Sequence, residues 1–258
     1  MMEHNAETAL PSAAALSAAL EKRQLAMWYQ PVVEVESGRI AGAEALIRWP
    51  QPDGSLLLPD SFLPLARRAG LLSGITHRVA EWAFTDLGAW LREHPAMRLS
   101  INLEPEDFLN TDLLEHLCLR CREYRVAPRQ IALEMTESSG IDPRAIAAIV
   151  GQYRAAGHPI YLDDFGSGFA NFSYLQAITF DVLKIDRTLV EPQPDKSLLP
   201  QIVALARSLG LEPLAEGVET RAQHRWLREH GIKYAQGWLY GKALPGRAFI
   251  AASAARYA

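Results

Sequence analysis

The sequence predicts a single α/β domain, a closed (β/α)8 TIM-like barrel with an antiparallel first strand. Three observations support this fold class. Eight short apolar or β-branched runs recur along the chain, and amphipathic stretches separate them. Strands that alternate with helices indicate a parallel sheet. Eight such units in 258 residues match the usual size of a closed barrel.

The barrel is expected to occupy residues 21–258, after a lead-in helix or tail at 1–20 that is rich in Ala and Ser. The predicted strands, in chain order, are 28–35, 40–49, 98–103, 130–135, 159–164, 181–186, 213–217 and 232–237. The link between the first two is only residues 36–39, whereas a parallel crossover needs about a dozen residues or more. The first strand is therefore expected to run antiparallel to the second.

Recognisable start and stop signals bound the helices between these strands. Asp142 followed by Pro143 is typical of a helix start, and Thr220 with Gln223 forms a capping-box pattern. Glycines expected to end helices in a left-handed conformation are Gly70, Gly157, Gly210 and Gly231. Cys118 and Cys121 fall inside a helical pattern, which favours helix packing over metal or redox chemistry.

Composition excludes several classes of function. The net charge is −4 and there is no block of Lys and Arg, so binding to a nucleic acid polymer is not expected. No uncharged apolar run approaches the roughly 20 residues that span a bilayer, so no membrane segment is expected. The N-terminus is acidic, unlike a secretory signal, and we expect a cytoplasmic protein.

Polar residues collect at the carboxyl ends of the predicted strands, where barrels of this type carry their chemistry. They are Glu44, Asn102, Glu134, Asp163, Asp164, Lys184, Glu216 and Gln236. Any one of them could simply cap or solvate a loop. Five carboxylates and one amide on five strands, all aimed at one opening, would repel one another strongly without cations.

The ligand types then indicate the metal. All candidate ligands are hard oxygens, which suit Mg²⁺, Mn²⁺ or Ca²⁺. Their number fits two ions about 4 Å apart, with Asp163 as the bridge and Asp164 serving the second ion. Two ions with Lys184 suggest phosphoester hydrolysis, in which the lysine holds the attacking water or shields developing charge. Gly166 and Gly168 would let the following loop turn tightly. Enolase-like proton abstraction is the alternative from chemistry alone.

The motifs that contain these residues resemble those of EAL-type cyclic di-GMP phosphodiesterases. They are Y-Q-P (29–31), E-A-L-I-R-W (44–49), S-I-N-L (100–103), L-E-M-T-E (133–137), D-D-F-G-S-G-F (163–169), L-K-I-D (183–186), A-E-G-V-E (215–219) and Q-G-W-L-Y (236–240). The likeness spans about residues 20–248. It implies hydrolysis of cyclic di-GMP to linear pGpG with Mg²⁺ or Mn²⁺, and a homodimer by family analogy.

The resemblance also implies a role for each matching residue. Glu44, Asn102, Glu134 and Asp163 would bind one metal ion, and Asp163, Asp164 and Glu216 the other. Lys184 would contact the catalytic water, and Glu137 would anchor the mobile loop after the fifth strand. Positions expected to contact substrate, directly or through neighbours, are Gln30, Leu46, Arg48, Asp164, Glu219 and Gln236. Glu219 could instead favour the positive end of the helix that starts at Thr220.

Three further expectations concern a departure from the family pattern, a rival function and the effect of Ca²⁺. Arg67 and Arg68 stand where the family usually has an acidic residue and a variable one, which would alter a local salt bridge or a partner surface. The main alternative is a catalytically silent cyclic di-GMP receptor. Such proteins typically lack a metal ligand or the lysine, and none is missing here. Excess Ca²⁺ is expected to inhibit, because its looser coordination suits in-line attack poorly.

Overall fold

The computed structural model describes residues 12–136, 141–167, 172–192 and 197–257. Its strands are β1 Ala26–Glu34, β2 Ile40–Pro50, β3 Leu56–Leu57, β4 Arg98–Leu103, β5 Ile131–Thr136, β6 Ile160–Phe165, β7 Val182–Ile185, β8 Glu212–Ala215, β9 Tyr234–Gln236 and β10 Leu244–Pro245. Eight of these close into a barrel in the order β1, β2, β4, β5, β6, β7, β8, β9, and β9 pairs again with β1. The predicted fold class is confirmed.

The first strand is reversed, as its short link to β2 predicts. Gln30 on β1 lies opposite Glu44 on β2 in an antiparallel ladder, and Val32 lies opposite Gln236 on β9, also antiparallel. All barrel strands from β2 to β9 are parallel to one another. The carboxyl ends of seven strands and the amino end of β1 therefore meet at one mouth.

Helices surround the barrel, and their ends follow the predicted signals. The α-helices are α1 Ala13–Glu21, α2 Pro59–Arg68, α3 Leu72–Glu93, α4 Pro105–Phe108, α5 Thr111–Tyr124, α6 Pro143–Ala155, α7 Phe172–Ala177, α8 Leu199–Ser208, α9 Arg221–Glu229 and α10 Gly246–Tyr257. Short 3-10 turns lie at Pro128–Gln130 and Arg187–Leu189. Asp142 accepts from the Arg144 amide at 3.0 Å, and Thr220 and Gln223 cap each other reciprocally. None of the described helices is long and apolar enough to cross a membrane.

Helix α1 occupies residues 13–21, which overlap the segment 1–20 expected to be a lead-in helix or tail, and residues before 12 lie outside the described part. Leu16 and Ala19 are fully buried and belong to the main core between barrel and helices. The cysteines lie in α5, where burial raises the pKa of Cys121 to about 12. A thiol with so high a pKa is inert at neutral pH, which agrees with a packing role.

The barrel interior has an apolar layer beneath a polar one. Ala132, Tyr161, Val182 and Leu214 form a small apolar cluster separate from the main core. Each lies two positions before an acidic or basic residue that is in the same strand or directly follows it: Glu134, Asp163, Lys184 and Glu216 in turn. Because side chains two residues apart face the same side of a strand, the same four strands supply both layers. The charged groups therefore rest on an apolar floor and face the mouth.

Close approach of β2 and β4 supports a stability prediction. A Cβ on Gly42 would lie 2.3 Å from the carbonyl oxygen of Arg98, whereas one on Gly151 in α6 would meet nothing within 4 Å. We expect Gly42→Ala to lower the free energy of unfolding by about 1–3 kcal/mol. Gly151→Ala, its matched control, should raise it by about 0.5–1 kcal/mol through helix propensity. Urea unfolding measures both, and equal effects of the two changes would contradict the strand contact.

Candidate active site

A ring of polar side chains lines the mouth, and each barrel strand or its carboxyl-terminal extension supplies one member. The members in strand order are Gln30, Glu44, Asn102, Glu134, Asp163, Lys184, Glu216 and Gln236. Seven of the eight are the polar residues predicted at the carboxyl ends of the strands. The eighth, Gln30, comes from the reversed strand β1. The structure therefore brings these predicted site residues together.

Lys184 lies at the centre of the ring and is almost fully buried, with 1% of its surface exposed. Its ammonium nitrogen is 2.6 Å from Glu134 Oε2, 2.8 Å from Glu216 Oε1 and 2.9 Å from Asp163 Oδ1. Glu44 Oε2 lies further away, at 3.8 Å. A buried ammonium needs such partners, because an unpaired charge in the interior is costly. These contacts fix the Lys184 ammonium among the carboxylates at the centre of the ring.

Two amides also hold the Glu44 carboxylate in place. Asn102 donates its Nδ2 hydrogen to Glu44 Oε1 at 2.7 Å, and the Gln236 side-chain amide donates to Glu44 Oε2. The same Gln236 amide lies 3.3 Å from Gln30 Oε1, and Gln30 in turn donates to the Gly241 carbonyl at 3.4 Å. These hydrogen bonds connect β1, β2, β4 and β9 around the carboxylate.

The adjacent acids Asp163 and Asp164 both reach the mouth because β6 is irregular there. Neighbouring residues of a regular strand point to opposite faces. The pairing of β6 with β7 shifts register between Leu162 and Phe165, and Asp164 has a φ of 55°. A bulge of this kind redirects one side chain. Gly166, with a φ of 97°, continues the turn, while Gly168 lies outside the described residues.

The cluster is electrostatically unbalanced, since one ammonium faces five carboxylates. Burial raises the pKa of Glu134 well above its ordinary value and that of Glu216 to about 8, against the opposing effect of Lys184. Burial and the adjacent aspartate raise the pKa of Asp164 to about 6. Burial alone would also raise the pKa of Glu44, but Lys184 and the two amides outweigh it and lower that pKa. Additional positive charge would favour the ionised form of all these acids.

The geometry of the oxygens fits divalent cations. Glu44, Glu134 and Asp163 offer ligand atoms within 4.8 Å of one another, and so do Asp163, Asp164 and Glu216. Asp163 belongs to both groups, as the sequence predicts for a bridging ligand. All donors are oxygens, which suits Mg²⁺ or Mn²⁺ and not a soft thiophilic ion. The acidic cluster could therefore hold metal.

Two adjoining cavities open from the ring, each of about 310 Å³. Both are lined by Glu44, Leu46, Asp163 and Asp164, so they meet at the acids. Glu219 lines one of them, which places it at the mouth as well as before the helix start at Thr220. These positions agree with a substrate that extends to both sides of the acidic cluster.

Of the remaining predicted residues, Arg48 lies away from these cavities and Glu137 is not described. Arg48 is not among the residues that line these two cavities, and its Nη1 donates to the neighbouring Ile47 carbonyl at 2.9 Å. It is half-buried on β2, on the same strand face as Glu44 and Leu46. Glu137 lies outside the described residues, so its proposed loop contact stays a prediction.

Sequence reasoning missed several residues that line the mouth. On one side these are Asp186, Arg187 and Trp238, and on the other Asp60 and Asp107. Asp186 and Trp238 lie inside the motifs L-K-I-D and Q-G-W-L-Y, directly beyond Lys184 and Gln236. Their nearness to those positions is the signal that could have found them. Asp60 and Asp107 lie in helices, and only the tertiary fold brings them to the cavity.

Arg67 forms ion pairs with two glutamates, which accounts for a basic residue at this position. Its guanidinium lies 2.8 Å from Glu104 Oε2 and 3.2 Å from Glu106 Oε1. Glu104 caps α4 and also lines a cavity at the mouth. The arginine therefore links the end of α2 to the loop that follows β4, in a local ion pair.

Comparisons with known proteins agree with these observations. A sequence model of the EAL domain matches residues 13–243. The probable cyclic di-GMP phosphodiesterase PdeB of Escherichia coli (strain K12) is 48% identical over 235 residues, which are 91% of this chain and 46% of PdeB. The bifunctional diguanylate cyclase/cyclic di-GMP phosphodiesterase MucR of Pseudomonas aeruginosa is 36% identical over 259 residues, 98% of this chain and 38% of MucR. The chain thus spans less than half the length of these relatives.

Solved structures show the same architecture. A complex of the PaMucR phosphodiesterase with c-di-GMP superposes with a TM-score of 0.83 at 36% identity, covering 91% of this chain and 97% of that chain. The EAL enzyme Bd1971, in its form bound to cAMP and cyclic-di-GMP, gives a TM-score of 0.85 at 28% identity, covering 92% of this chain and 67% of that chain.

Proposed function

The chain belongs to the EAL domain family, and we propose that it is a phosphodiesterase that hydrolyses one phosphodiester bond of cyclic di-GMP to give linear pGpG. The observation that supports this most directly is the pair of oxygen groups that share Asp163, directly beside the buried ammonium of Lys184. A binding protein needs no such concentration of buried acids, because holding them together is unfavourable unless cations are used.

The proposal assigns the residues as follows. Glu44, Asn102, Glu134 and Asp163 would hold one Mg²⁺ or Mn²⁺ ion, and Asp163, Asp164 and Glu216 the other. When bound, the two ions would lower the pKa of water and neutralise charge on the phosphate. Lys184 would orient the attacking water by hydrogen bonding and stabilise negative charge that develops on the phosphate oxygens. Gln236 and Gln30 would keep Glu44 in place.

Substrate contacts are assigned to the walls of the two cavities. Leu46 lines both cavities, and Gln30, Glu219 and Gln236 line one of them. Arg48 would reach a phosphate after leaving its contact with the Ile47 carbonyl. Glu137 would anchor the loop after β6.

The test is a product assay. Purified protein is incubated with cyclic di-GMP and Mg²⁺ or Mn²⁺, and linear pGpG is followed by ion-exchange chromatography, with EDTA as the control. Turnover that requires the metal is expected. Saturable binding of cyclic di-GMP with no product would show that the protein is a receptor instead.

Replacing the metal with Ca²⁺ should inhibit. Ca²⁺ takes more ligands at longer distances than Mg²⁺, so it would occupy the carboxylates without the compact geometry that in-line attack requires. We expect a tenfold excess of Ca²⁺ over Mg²⁺ to reduce the initial rate by at least about tenfold. A full rate with Ca²⁺ as the sole divalent ion would contradict this assignment of the acids.

The family resemblance extends the proposal to a homodimer. Light scattering after size-exclusion chromatography would measure the mass in solution, and a mass near that of one chain would remove this part of the proposal.

A further inference from the structure

Trp238 is an exposed aromatic side chain at the mouth. Among the large hydrophobic side chains of the described residues it has the highest exposed fraction, 62%. The other five tryptophans of the chain are buried or half-buried. A single exposed apolar side chain is common on a protein surface, but Trp238 is distinguished by its place on the wall of the cavity beside the acidic cluster.

The backbone holds Trp238 firmly despite this exposure. The residue follows β9 in a turn closed by the Tyr240 amide, which donates to the Gly237 carbonyl at 3.0 Å. The Leu239 amide donates to the Val218 carbonyl at 2.9 Å, and the Val218 amide to the Gln236 carbonyl at 3.0 Å. Gly237 has a φ of 155°, and a Cβ there would lie 2.2 Å from Val218 backbone atoms. The ring is thus carried by a fixed turn, not by a free loop.

Trp238 shares a cavity with the acidic cluster. The cavity that contains Lys184, Asp163 and Glu216 is also lined by Trp238 and Arg187. The ammonium of Lys242 lies 4.8 Å from the centre of the indole ring. It can cover only one of the two ring faces, so the other can receive a flat ligand. A rigid aromatic face and cationic side chains next to a phosphate-processing centre suit a base and a phosphate of the same molecule.

We propose that Trp238 is a stacking platform for one purine base of the substrate, so that it sets affinity and not the chemical step. This inference rests on the proposed function and deepens it. The base lies on the wall of the cavity, at a distance from the reacting phosphorus set by the sugar. Loss of the ring should therefore weaken binding of substrate and transition state equally, which raises KM and leaves kcat nearly unchanged.

The first test is steady-state kinetics with cyclic di-GMP and Mg²⁺ on the full chain. Trp238→Leu keeps an apolar side chain but removes the ring, and we expect KM to rise about tenfold, as for loss of one stacked base. Trp238→Phe keeps a ring and should change KM by no more than about twofold, with kcat unchanged in both. The control is Leu209→Ala, because Leu209 is an exposed apolar residue at the carboxyl-terminal end of α8. This change should alter neither KM nor kcat.

The second test measures stacking directly. The protein is mixed rapidly with cyclic di-GMP and Mg²⁺, and the quenching of its indole fluorescence is followed during the first milliseconds. Wild type and Trp82→Phe should be quenched, and Trp238→Phe should not. Quenching that survives in Trp238→Phe, or an unchanged KM in Trp238→Leu, would overturn the stacking role while turnover by wild type upholds the proposed function. If wild type gives neither turnover nor quenching, the proposed function fails and this inference fails with it.

Discussion

Lys184→Met is expected to reduce kcat for cyclic di-GMP by about a thousandfold or more. Its ammonium is the one cation within 4 Å of four of the ring carboxylates among the described residues. Removing a preorganised donor from a water-poor active site typically costs about 100- to 1000-fold in kcat. Loss of water orientation adds to that effect. Product formation followed by chromatography measures the result.

The change Lys184→Met should not weaken metal binding. This expectation distinguishes Lys184 from the residues that are proposed as metal ligands. A cation next to divalent ions opposes them, so without Lys184 the affinity for Mn²⁺, measured by calorimetry, should stay equal or increase. The matched control is Lys233→Met, because Lys233 is exposed and lies over the Tyr234 ring at 4.9 Å. Lys184→Met with wild-type turnover, or with lost Mn²⁺ binding, would contradict the assigned role.

Asp163→Asn is expected to weaken the binding of both metal ions strongly and to lower kcat/KM by at least about a thousandfold. Asp163 is the one residue that the two oxygen groups have in common, so neutralising it weakens both sites at once. Asparagine keeps the size of the side chain, and the loss can be attributed to charge. Calorimetry with Mn²⁺ should show two ions bound by wild type and none, or one weakly, by the variant.

Variants in only one group provide the internal comparison. Glu216→Gln should affect one ion and Glu44→Gln the other, each leaving one ion bound. Asp112→Asn, at the exposed start of α5, is the matched control and should bind two ions like wild type. Two ions bound with wild-type affinity by Asp163→Asn would show that this aspartate is not a bridge.

The polar ring was predictable from sequence because its members follow the period of a β-strand. Glu134, Asp163 and Lys184 each lie two residues after an apolar position that faces the same side of the strand. The reversed first strand was predictable because four residues cannot form a parallel crossover. In both cases a local sequence pattern determines the feature, and closure of the barrel brings the side chains of separate strands close together.

Other features depend on contacts between distant segments. The two-residue strands β3 and β10 are too short to show a period. The bulge that turns Asp164 toward the mouth depends on the pairing of β6 with β7. Arg67 meets Glu104 only in the folded chain, where the end of α2 lies beside the loop that follows β4. Trp238 lies in a recognised motif, but its exposure is set by the turn around Gly237.

The reversal of β1 has a consequence for fusion proteins. Ala26, at the start of β1, lies opposite Arg48 near the carboxyl end of β2, so the polypeptide enters the barrel at the rim that carries the acidic cluster. Helix α1 precedes this entry point and packs on α2, whose first residues line a cavity at the acids. A partner domain joined ahead of Ser12 would therefore connect, through α1, to the helix that forms part of the cavity wall. A force transmitted through α1 would reach α2 and the cavity beside the acids.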